Sequence, residues 1–138
     1  MAVMIPAECD LNRRPLSEQV VFTAIQHSLP DEWIVFHSFD YITRDLNHKL
    51  WDGEIDFLLY HPEQGLLVIE VKGGTISYFD GQWWQNRHKI DPVEQAKKNK
   101  YAVLRLLQQQ LGGAAPIKIA HAVCFPDCYH ADIWPAEA

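Results

Sequence analysis

Four charged residues stand out near the middle of the chain: Glu54, Asp56, Glu70 and Lys72, carried on the apolar segments GEIDFLLY and GLLVIEVK. The segments are separated by HPEQG, and together they read as an antiparallel hairpin. Its register places Tyr60 opposite Leu66, Leu58 opposite Val68, Asp56 opposite Glu70, and Glu54 opposite Lys72. The two-residue period of a strand then puts all four charged residues on one face. Ile55, Phe57, Leu59, Leu67, Ile69 and Val71 form an apolar set on the other. Directly opposed carboxylates lie ~5 Å apart at Cβ and repel each other. Either one takes up a proton or a cation sits between them. Two rigidly held oxygen ligands and a nearby backbone carbonyl suit a hard ion such as Mg²⁺ or Mn²⁺. Lys72, on the same face, could hold a phosphate oxygen or position a metal-bound water. The plainer alternative is a Glu54–Lys72 cross-strand ion pair, with Asp56 and Glu70 on a solvated sheet face.

Two helices flank this hairpin in sequence. The first spans about 15–29, between Pro15 and Pro30. On a helical wheel Phe22, Ile25 and Leu29 form a stripe that also contains Glu18. Glu18 is either a third carboxylate aimed at the hairpin or a solvated charge favoured by the helix dipole. The second helix spans about 92–111, with Asp91 as N-cap, Pro92 as first residue and Gly112 as stop. Val93, Ala96, Val103, Leu104, Leu107 and Leu111 make its core face, with Gln95 and Asn99 beside it. Lys97, Lys98 and Lys100 form a basic patch near its start, suited to phosphate or simply solvated.

The remaining elements are a strand at 33–39, a polar stretch at 40–53 that reads as loop, and a hairpin about Asp80-Gly81. A last strand covers 118–125. This order suggests an α/β protein with a mixed sheet flanked by helices. Residues 1–14 read as a lead-in and 15–138 as one domain, of a kind that could be a module of a longer protein, ending in the little-structured IWPAEA. The chain of 138 residues, 48% hydrophobic with five Trp, can bury a core, which excludes disorder. No apolar run of ~20 residues is present to span a membrane. Three cysteines and no export signal point to the cytoplasm. The net charge of −6 disfavours a nucleic-acid binder, but 87–105 is locally basic. His121, Cys124, Cys128 and His130 lack a zinc-site spacing. Of the adjacent Trp83 and Trp84, which could stack on bases, at least one must face inward.

The ordered set Glu18, Gly53-Glu54-Ile55-Asp56, Ile69-Glu70-Val71-Lys72 and Asp91-Pro92-Val93-Glu94-Gln95 resembles the nuclease-related domain (NERD) over roughly 15–126. That family is a branch of the restriction-endonuclease-like PD-(D/E)xK nucleases. Ile55 stands where the name-giving motif has proline. The resemblance implies a restriction-endonuclease-like core and a divalent-metal site for hydrolysing DNA phosphodiesters. It implies that Asp56, Glu70 and the Val71 carbonyl bind the metal, supported by Glu18. Lys72 would orient the attacking water or stabilise charge on the phosphate, and Gln95 would help hold the site or the substrate. It also implies possible fusion to a helicase or kinase-like domain. The competing expectation is a non-catalytic nucleic-acid-binding or adaptor module that keeps the fold.

Overall fold

The computed structural model describes residues 1–112 and 117–128. The IWPAEA tail and His130 lie outside the described residues. The element order is β1 (Val3–Ile5), α1 (Leu16–Ser28), β2 (Ile34–Arg44), β3 (Leu50–His61), β4 (Gly65–Val71), β5 (Ile76–Phe79), β6 (Gln82–Gln85), β7 (His88–Ile90), α2 (Pro92–Leu111) and β8 (Ile119–Cys124). A five-stranded mixed sheet runs β1-β2-β3-β4-β8, and β5-β6-β7 form a small antiparallel sheet. The central sheet flanked by two helices is the α/β architecture expected of a restriction-endonuclease-like core.

Both helices are crossovers between parallel strands, as parallel pairing requires. α1 connects β1 to β2, and α2 lies between β4 and β8. Each helix covers one sheet face. Val21 and Phe22 of α1 pack with Val35, Phe57, Leu59 and Val71. Ala102 and Val103 of α2 pack with Tyr41, Ile55, Leu58 and Val68. Residues 1–14, set apart in the sequence as a lead-in, supply β1 and bury Ala2 and Met4 in the α1-side core.

The β3–β4 register is the expected one, from Tyr60↔Leu66 to Phe57↔Ile69. The Asp80-Gly81 turn also forms, with φ of 53° and 74°. Three expectations need correction. The stretch 40–53 is mostly strand: β2 and β3 continue as a hairpin arm with only 45–49 between them. It looked like loop because only Tyr41 and Thr43 are buried there, while alternate residues are solvated. On α2, Leu111 is 53% exposed, whereas Asn99 is 3% exposed and belongs to the buried face.

The third correction shapes the site. Ile55 does not share a face with Phe57; it packs on the α2 side. The β2–β3 ladder skips the Ser38–Asp56 pair, and Ser38 has φ of 54°. A positive φ at a non-glycine residue marks a locally distorted strand. Because both strands flip together, the register continues beyond the break, from Phe39↔Ile55 to Arg44↔Leu50. Phe36 and Phe39, three residues apart, therefore both pack on the α2 side. The flip turns Glu54 toward α1 and leaves Asp56 at the switch between faces.

Candidate active site

Asp56 occupies the position where the β3–β4 ladder ends. Its Oδ2 accepts the Val71 N–H at 2.8 Å, replacing the backbone acceptor that a continued ladder would supply. Glu18 approaches Asp56 from α1, with carboxylate oxygens within 4.8 Å of each other, and Glu70 approaches it from β4 in the same cleft. Neighbouring carboxylates repel, which favours a proton on one of them. Burial, followed by the hydrogen bond and charge of Asp56, raises Glu18 to about 7. Burial, followed by the charge of Asp56, raises Glu70 to about 8, against the opposing pull of Lys72. Glu70 is 2% exposed, and Lys72 Nζ lies 3.5 Å from its Oε1.

The structure brings Glu18, Asp56, Glu70, Val71, Lys72 and Gln95 to one cleft. Gln95 enters from the first turn of α2 and is exposed. Lys97, Lys98 and Lys100 do not line this cleft. Glu54 does not pair with Lys72 across the strands. The face flip carries it to α1, where Arg14 Nη1 donates to its Oε1 at 2.7 Å. Glu18, Glu54 and Asp56 offer oxygens that all lie within 4.8 Å of one another. Glu54 therefore joins the acidic group from the α1 side, a direction that strand periodicity did not predict.

Other contributors had no clear signal in the sequence. Tyr41 Oη donates to Asn99 Oδ1 at 2.8 Å, and Asn99 Nδ2 makes a long 3.5 Å contact with Glu70 Oε2. This buried chain fixes Glu70 from the α2 side. Tyr41 needs Gly53 beside it, because a Cβ there would lie 2.6 Å from the tyrosine Oη. The turn after Lys72 is tethered at both glycines. Gln85 Nε2 donates to the Gly73 carbonyl at 2.8 Å, and Gly74 N–H donates to Asp127 Oδ2 at 2.7 Å. The small sheet thus serves the site by holding the segment that follows Lys72.

The donor set can be tested against a metal by its chemistry. Four carboxylates face two nearby cations, Arg14 and Lys72. All the candidate ligand side chains are oxygen donors, with no thiolate or imidazole among them. Hard divalent ions take such ligands, and one would offset the burial and relieve the mutual repulsion that together raise Glu18 and Glu70. The residues fit such an ion.

The family model of the nuclease-related domain (NERD) matches residues 15–126. The chain belongs to this family. The NERD match runs from the start of the α1 region past the end of β8, so it encloses Glu18, Glu54, Asp56, Glu70 and Lys72. Neither the curated proteins nor the solved structures give a significant match. Among the described residues of this NERD chain, no helix is long and apolar enough to cross a membrane.

Proposed function

We propose that the chain is a divalent-metal-dependent nuclease that hydrolyses DNA phosphodiester bonds. The observation that carries this reading is the meeting of Glu18, Asp56, Glu70 and Lys72 in one cleft, where burial and the charge of Asp56 disfavour ionised Glu18 and Glu70 unless a cation joins them. Asp56, Glu70 and the Val71 carbonyl would hold Mg²⁺ or Mn²⁺, with Glu18 and Glu54 in support. When bound, the ion supplies positive charge at the scissile phosphate and lowers the pKa of water.

The chain's own groups have distinct tasks. Lys72, whose Nζ lies 3.5 Å from Glu70 Oε1, donates toward the phosphate as negative charge builds, or orients the attacking water. Asn99 and the Val71 N–H keep Glu70 and Asp56 pointed into the cleft. Gln95, exposed at the cleft edge, donates to the substrate. Lys97, Lys98 and Lys100 on α2 offer contacts to flanking phosphates. The three cysteines are free thiols, which suits a cytoplasmic location. Partnership with a helicase or kinase-like domain would add the DNA-binding surface that an acidic chain lacks.

The test is DNA cleavage in Mg²⁺ and Mn²⁺, with metal binding measured by calorimetry. D56A and E70A should abolish both binding and cleavage. K72A should retain metal binding but cleave on the order of 10²–10³-fold more slowly, as when one charge-stabilising donor is removed. Wild-type cleavage that all three variants leave unchanged would overturn the proposal. Metal binding with no cleavage of any DNA would favour a non-catalytic adaptor.

A further inference from the structure

The hairpin arm formed by the outer parts of β2 and β3 is a built object rather than a loose excursion. Asp45 organises it: one carboxylate oxygen accepts the Asn47 and Lys49 N–H groups at 2.9 and 3.0 Å, and the other accepts Trp51 Nε1 at 2.9 Å. Trp51 is thereby fixed, and two ammonium groups gather on it. Lys49 Nζ lies 4.3 Å from its ring centroid, and Lys98 Nζ, arriving from α2, lies 5.3 Å away. Such cation–π contacts hold cations in place while leaving them free to meet an anion.

Farther along α2, Arg105 and Gln109 stand within about 40° of Lys98 on the helix. Arg105 and Arg44 line a hollow between the arm and α2, together with Asp45, His48 and Gln109. The Arg105 Nε is buried and has no hydrogen-bond partner. Among the described residues, none of Arg44, Lys49, Lys98 and Arg105 is in an ion pair with a carboxylate. The opposing charges on the arm are Asp45, already engaged by three N–H donors, and Asp52, which is exposed; on α2, the exposed Glu94 lies one turn before Lys98. Lys97 and Lys100 act instead on His121 of β8, so the lysines of α2 divide between two flanks.

We propose that the groove between the β2–β3 arm and α2 holds the sugar-phosphate backbone of a DNA strand leading away from the carboxylate cleft. Arg44, Lys49, Lys98 and Arg105 contact its phosphates. The nuclease reading supplies the direction, because Gln95 at the cleft and Arg105 in the groove belong to one helix. They are ten residues apart, roughly 15 Å along the axis. That is room for about four nucleotides at roughly 3.4 Å each. Leu46, 99% exposed at the tip of the arm, lies beside this path.

The test is fluorescence anisotropy of the full chain with a fluorescein-labelled single-stranded DNA in EDTA, where metal-dependent cleavage is switched off, over a range of salt. Each lost phosphate contact lowers the slope of log affinity against log salt by about 0.7 for single strands. K49Q/K98Q and R44Q/R105Q should therefore each reduce it by about 1.4. The lysine pair is a surface change that leaves the fold intact if the arginine pair does not. K118Q, at the opposite end of the sheet, should leave the slope unchanged. A slope that ignores both groove variants, or falls only in K97Q/K100Q, overturns the groove even if the wild type cleaves DNA with metal. Groove-dependent binding by a wild type that never cleaves supports the groove and defeats only the nuclease reading. Absence of DNA binding at every salt concentration overturns the groove.

Discussion

Replacing Glu70 by glutamine should stabilise the protein at alkaline pH while removing a proposed metal ligand. Glu70 is almost fully buried, with Asp56 and Lys72 against it and Asn99 at 3.5 Å. Its protonated form donates to Asp56 and accepts from Lys72 or Asn99. A glutamine copies that form, its amide donating and its carbonyl accepting. The folded value of about 8 lies above the ordinary 4.5. The protonated group's stabilisation is therefore complete below the unfolded value and is lost as pH rises through about 8. Each decade between the two values is worth about 1.4 kcal/mol. Local relaxation and water entry take up part of this, leaving about 2–5 kcal/mol lost by the wild type near pH 8.5. That is a large share of a domain's stability, equivalent to roughly 6–15 °C in Tm for a chain of this size. Thermal unfolding by circular dichroism in EDTA, from about pH 5 to 9, measures it. The two proteins should match at acidic pH, and E70Q should pull ahead as pH rises. Parallel decline of wild type and E70Q would mean that Glu70 is not the titrating group, and would refute the reasoning.

Metal binding should expel the same protons. Calorimetry with Mn²⁺ in buffers of different ionisation enthalpy should show more than one proton released per ion near pH 6.5, and almost none above about pH 9. A proton count independent of pH would contradict the raised values of Glu18 and Glu70. N99A strands the buried Tyr41 hydroxyl and removes a neighbour of Glu70. It should cost about 1–3 kcal/mol in urea denaturation and slow any DNA cleavage. A neutral N99A would mean that the Tyr41–Asn99–Glu70 chain carries no energy.

The sequence disclosed the site most clearly where local rules decide geometry. The five-residue connection and alternating pleat set the β3–β4 register, which brings Glu70 and Asp56 together. The boundaries of α2 were equally legible from Pro92 and Gly112. Glu54 was misread because its direction depends on the break opposite Ser38, a residue with no local pattern that demands a positive φ. Arg14 was missed because its contact with Glu54 spans forty positions of sequence. Asn99 looked peripheral on a wheel because its burial requires Tyr41, from a stretch that reads as polar loop. The β2–β3 arm was obscured for a similar reason: its order comes from Asp45 and Trp51 rather than from an apolar run.

The N-terminal strand separates two meanings of a boundary. Family likeness begins at residue 15, yet β1 and Arg14, the cation paired with Glu54, lie before it. A protein trimmed to the recognised stretch would keep every acidic candidate ligand while losing a sheet edge and the cation that tempers Glu54. Glu54 would then lack its cation partner, and any altered affinity for divalent ions would be a product of the cut rather than an inherited trait. What kinship preserves and what folding requires are here different lengths of polypeptide.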